Sequence, residues 1–162
     1  MHDITVTNCE IYECGRSGIN FLNPWGKRIG EKWPGSQEGI LPWHPFTNFY
    51  MANNVIHHID GDALITDTTA NAVVEKNLCY ETAIHLGHMG AAVGFFNWNS
   101  DDYYFQYNEV FNVGKNATKQ DHHKEPYYVT PGDAQGIEID ALNDRSWVQY
   151  NYVHDNYGGF MM

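Results

Sequence analysis

The chain is poor in positive charge. Nine Lys and Arg stand against twenty Asp and Glu, a formal net charge of −11 over 162 residues. Phosphate contacts need clustered cations, so nucleic acid is excluded as a natural partner. A polyanionic substrate would need a bound cation to reverse the local sign. Cysteine is scarce too: Cys9, Cys14 and Cys79 are odd in number and contain no C-x-x-C pair. That excludes a disulfide framework and a structural zinc site, and the three read as buried free thiols. No apolar run approaches the ~18 residues of a membrane span. The opening "MHDITVTNCE" starts straight into strand-like alternation and is not expected to be a signal peptide. There is no H-E-x-x-H or comparable spacing, so no metal ligands are assigned. No segment shows a 3.6-residue apolar period, which excludes a helical domain.

What is present is a degenerate repeat. Hydrophobic residues make up 43% of the chain and aromatics 15%, enough for one domain with a real core. An apolar residue, two variable residues, Asn, one variable residue and another apolar residue recur. The copies are Val6–Ile11, Met51–Ile56, Val74–Cys79, Phe105–Val110 and Val148–Val153, with Cys9 in the Asn column of the first. From Cys9 through Asn54, Asn77 and Asn108 to Asn151 the separations are 45, 23, 31 and 43 residues. The shortest is the bare period. Two insertions, at about 22–48 (Gly-, Pro- and Trp-rich) and about 114–132 (polar, with two prolines), account for the longest gaps.

Each copy is followed by a second short element led by a small residue, at Gly18, Ala63, Ala92, Gly136 and Gly159. Apolar side chains then alternate, the signal of a half-buried strand. Short strands on a period near 23 predict an all-β parallel solenoid of about five turns, its Asn residues stacked as a ladder. An antiparallel sandwich would not hold Asn-x-apolar in one register.

The segments "NCEIYECGRSGI", "NNVIHHIDGDALI", "QYNEVFNVG" and "GIEIDALNDRSWVQYNYVHDNYGGF" resemble the right-handed parallel β-helix proteins of the pectin-lyase-like superfamily. The likeness covers nearly the whole chain outside the insertions and is closest to bacterial carbohydrate-active members. It implies an extracellular or periplasmic protein acting on a polysaccharide or oligosaccharide. Members usually have more turns, and "GGFMM" ends the chain on an uncapped strand. The expectation is a piece of a longer helix, with remaining turns or end-to-end self-association covering the open strand edges.

The chemistry concentrates in "GDAQGIEID", residues 132–140. Ile137 and Ile139 match apolar positions and should face the core, so Glu138 and Asp140 should face outward, about 6.5–7 Å apart at Cα. Paired carboxyls at roughly 5–9.5 Å are what glycoside hydrolysis uses. Alignment on the leading small residues puts Phe96 and Asp67 in register with Asp140, and Gly94, Ile65 and Asn20 with Glu138. Glu138, Asp140, Asp133 and His154 are the candidate catalytic residues. Asp62, Asp67, Phe96, Trp98 and His88 are the candidate substrate contacts. The bland alternative is the solvated face of an ordinary strand.

His57 and His154 fall in one column with Tyr12, Tyr80 and Phe111, which reads as an aromatic stack. Trp25, Trp33 and Trp43 either pack over the helix side or stack on sugar. The favoured activity is glycoside hydrolysis without an assigned cofactor. One alternative is a calcium-dependent polysaccharide lyase, with Asp62, Asp67 and Asp140 as oxygen donors to the ion. Another is a non-catalytic glycan-binding or structural solenoid.

Overall fold

The computed structural model describes residues 1–21, 43–84, 92–115 and 133–161. The described chain is a right-handed parallel β-helix of five turns with three strands each. Turn one contains β1 (His2–Thr7), β2 (Glu10–Cys14) and β3 (Ile19–Phe21). Turn two contains β4 (Phe46–Ala52), β5 (Val55–Ile59) and β6 (Leu64–Asp67). Turn three contains β7 (Thr69–Glu75), β8 (Leu78–Thr82) and β9 (Phe95–Trp98). Turn four contains β10 (Asp101–Gln106), β11 (Glu109–Phe111) and β12 (Gln135–Ile139). Turn five contains β13 (Asp144–Gln149), β14 (Tyr152–His154) and β15 (Gly159–Met161). Corresponding strands pair in parallel, giving sheet A (β1, β4, β7, β10, β13), sheet B (β2, β5, β8, β11, β14) and sheet C (β3, β6, β9, β12, β15). Since β4 begins at Phe46, the end of the stretch read as the first insertion is strand.

Vertical columns of like side chains make the core. Val6, Met51, Val74, Phe105 and Val148 line sheet A. Ile11, Ile56, Cys79, Val110 and Val153 line sheet B, and Ile19, Leu64, Phe95, Ile137 and Met161 line sheet C. Each rung seats its side chains on those one strand spacing below, about 4.8 Å away. The thiols divide: Cys79 is buried in its column, Cys14 is partly covered, and Cys9 is exposed. Burial was expected for all three. Cys9 lies at the corner between β1 and β2.

The Asn ladder forms at the corner between sheets A and B. Asn77 Oδ1 accepts from the backbone N–H of Asn54 at 3.0 Å and from its Nδ2 at 2.9 Å. Asn77 Nδ2 in turn donates to Asn108 Oδ1 at 3.0 Å and to the Met51 carbonyl at 3.2 Å. Asn108 repeats the pattern with Asn151, while Cys9 contributes only its N–H, to Asn54 Oδ1. The residue before each ladder position (Asn8, Asn53, Lys76, Tyr107, Tyr150) is left-handed, with φ of 54–57°. Such a backbone costs a non-glycine residue of order 1 kcal/mol. The ladder bonds hold the bend in place, so residue type there is free to vary.

Candidate functional site

Glu138 is the fourth of the five residues of β12, on the outward face of sheet C. Its partner one rung below is Phe96, with Ile65 below that and Asn20 at the bottom. Asp67 pairs with Trp98, and Asp140, one residue past β12, continues that second column. The expected register is therefore corrected in turn three: Phe96 belongs to Glu138, and Gly94 lies level with Gly136 instead. A two-residue slip leaves every side chain on its own face, so alternation alone does not detect it.

Glycines shape the approach to this strand. A Cβ on Gly94 would fall 2.3 Å from the Gly136 carbonyl oxygen and 2.8 Å from Val110 Cγ1. Only glycine lets turns three and four close where Gly94 enters β9 beneath Gly136 of the acidic strand.

The reading of Glu138 as a solvated strand residue is overturned. Its side chain points outward, yet the residue is only 2% exposed, and Oε2 is buried without a hydrogen-bond partner. Burial pushes its carboxyl up to about 7, and the negative charges of Asp133, Asp140 and Asp62 push the same way. Near neutral pH it holds a proton for a large part of the time. Asp133 is exposed just ahead of β12. Asp140 is partly exposed, its Oδ1 accepting from the Ala141 N–H at 2.7 Å. Asn143 fixes that turn by donating to the Asp140 carbonyl at 2.7 Å.

Asp62 approaches from two turns below. It is 1% exposed, and its Oδ1 accepts from the Val93 N–H at 2.9 Å, while Oδ2 is buried without a partner. Burial raises its carboxyl to about 6, against the lowering effects of that hydrogen bond and of the Arg16 charge. Asp67, 4% exposed, is likewise raised to about 6 by burial, with Thr68 Oγ1 donating to its Oδ1 at 2.6 Å. Sheet C thus carries a rung of acids (Asp133, Glu138, Asp140), an aromatic rung beneath it (Phe96, Trp98), and Asp62 and Asp67 on the rung below that. Trp43 borders this face, its Nε1 donating to the Asn99 carbonyl at 3.1 Å.

Asp62, Asp133 and Asp140 each lie within electrostatic reach of Glu138, but His154 is elsewhere. It lies on β14 in sheet B, stacked on Phe111 and Tyr152, with its ring nitrogens toward Asp155 and Glu109. Its expected support of the acidic strand is corrected accordingly: the chain turns a corner between β14 and β15, separating the two faces. The aromatic stack itself is present, running Tyr12, His57, Tyr80, Phe111, His154 at centroid spacings of 4.9–5.4 Å. His88, Trp25 and Trp33 lie outside the described residues. No cluster of three or more His, Cys, Asp or Glu able to hold a metal occurs among the described residues. Sequence reasoning missed the facing pair His57 and His58; the "HH" dipeptide was its only signal.

No family model matches the chain, and no solved structure matches it significantly. The chain is similar to a lacto-N-biosidase from Bifidobacterium longum subsp. longum, 27% identical over a 169-residue alignment. The alignment covers 94% of this chain and 10% of the relative, so the chain spans about a tenth of that protein's length.

Proposed function

We propose that this β-helix belongs to a carbohydrate-active protein and carries a glycoside hydrolase site on the outward face of sheet C. The observation that supports it best is Glu138. A glutamate raised to about 7 among three other carboxyls is suited to protonate a leaving-group oxygen at neutral pH. In this reading Glu138 is the acid and Asp140 the second carboxylate, which either attacks the anomeric carbon or activates a water. Asp133 and Asp62 hold the Glu138 proton by their charge. Phe96 and Trp98 offer apolar surface for a sugar ring, and Asp67 offers a hydrogen bond to its hydroxyls. The similarity to a protein named as a biosidase supports the glycosidic bond as the target. The superfamily resemblance and an extracellular location are part of the same proposal.

The test is turnover of an oligosaccharide panel by the full protein and by Glu138→Gln and Asp140→Asn variants. Losing a positioned acid should lower kcat about 10²–10⁴-fold. Unchanged turnover in both variants contradicts the assignment. Unsaturated uronate products abolished by a chelator identify a calcium-dependent lyase instead, and binding without turnover identifies a glycan-binding solenoid.

A further inference from the structure

His57 and His58 are adjacent in β5, and neighbouring residues of a regular strand point to opposite faces. Here they do not, because His58 is left-handed, with φ of 52°. The bend brings both rings to one side, with His57 Nδ1 and His58 Nδ1 only 2.6 Å apart. The far nitrogens are each committed. His57 Nε2 is 3.2 Å from Glu10 Oε1, and His58 Nε2 is 2.8 Å from Glu81 Oε2.

A carboxylate only accepts, so each Nε2 carries its hydrogen toward its glutamate. Each Nδ1 is then a bare lone pair, and the two lone pairs face each other at contact distance. Such an arrangement needs a positive charge between them, either a proton or a metal ion. Three further features suit a metal ion. A carboxylate on the outer N–H of a ligating imidazole is the usual support of a metal-bound histidine. His57 is clamped between Tyr12 and Tyr80 at centroid distances of 5.4 and 4.9 Å, so one ligand is already oriented. His58 is half-exposed, which leaves a way in.

We propose that His57 and His58 form a two-imidazole chelate for a divalent transition metal such as Zn²⁺ or Cu²⁺. The glutamates of the rungs above and below fix both tautomers. Neutral imidazole is a preferred ligand of these ions. Metal–nitrogen bonds of about 2.0–2.1 Å need the nitrogens to open to about 3 Å, a small rotation of the exposed His58 ring. With two protein ligands the site is open to water or an external ligand. It lies on sheet B, away from the carboxyls of sheet C, and is independent of the hydrolase reading.

Isothermal titration of the protein with ZnCl₂ at pH 7.5 tests this. His58→Ala should take up one equivalent fewer than the wild type, and Glu81→Gln should weaken that equivalent about 10-fold. His57→Phe should also lose it while keeping the stack, since Phe111 occupies the same column. Cu²⁺ electron paramagnetic resonance on the wild type should show coupling to two imidazole nitrogens, a readout that needs no variant. Equal zinc uptake by wild type and His58→Ala, or copper spectra without that coupling, overturns the proposal and leaves a shared proton between the rings.

Discussion

Glu138 stands one rung above Phe96 on the outward face of sheet C, and its carboxyl is nearly as buried as the core. An acid buried over an aromatic rung lacks the hydration that would keep it ionised. Its neighbours Asp133, Asp140 and Asp62 add like charge instead of a counter-ion. For folding alone this is a poor arrangement, since an unsatisfied buried oxygen costs of order 1–3 kcal/mol. Such costs concentrate where chemistry is done.

Stability should therefore depend on pH in the sense opposite to that of an ordinary salt-bridged acid. Glu138, Asp62 and Asp67 are raised to about 7, 6 and 6. Above pH 4 the unfolded chain loses these protons while the folded chain keeps them, to about pH 6 on Asp62 and Asp67 and to about pH 7 on Glu138. Stability from these groups is present below pH 4, falls as pH rises to about 7, and is flat above. Each group contributes a slope of at most about 1.4 kcal/mol per pH unit. Glu138→Gln removes one such slope, so relative to wild type it should gain stability between pH 5 and pH 8. Urea unfolding at the two pH values measures the difference.

The Asn ladder should be the main polar determinant of stability. Asn77 makes side-chain bonds to the turns on both sides, and it is 2% exposed. Asn77→Ala leaves the Asn54 N–H and the Met51 carbonyl without those partners. At about 1 kcal/mol per net bond, the loss should be about 2–4 kcal/mol. Tyr150→Ala, in the exposed left-handed position beside the ladder, should change stability by less than about 1 kcal/mol. Chemical denaturation of both variants checks the contrast.

Much of this was legible in the sequence. The Asn column was readable because its bonds tie one residue type to one register, down to Cys9 replacing Asn in the first turn. The aromatic stack Tyr12–His57–Tyr80–Phe111–His154 was readable for the same reason: rings repeat where rings stack. The register of turn three was not, since Ala92 and Gly94 are both small and lie two residues apart. The burial of Glu138 was not either, because alternation reports which face a side chain takes and says nothing of what covers that face. His154 was misplaced because proximity along the chain does not show which corner of the helix separates two strands.

Phe96 should act on substrate binding more than on chemistry. Its ring lies directly below Glu138 and is partly exposed. If a sugar rests on it, Phe96→Ala should raise KM by about 5–10-fold, the equivalent of one stacking contact, with kcat changed less. Steady-state kinetics of the variant against Glu138→Gln separates the two roles.

The proposed site depends on Glu138 holding a proton near neutral pH. Carbon-13 NMR titration of its side-chain carboxyl, assigned by comparison with Glu138→Gln, measures this directly. A midpoint near 7 that falls in Asp133→Asn and Asp140→Asn is the expected result. A midpoint near 4.5, unmoved by either substitution, would contradict the account.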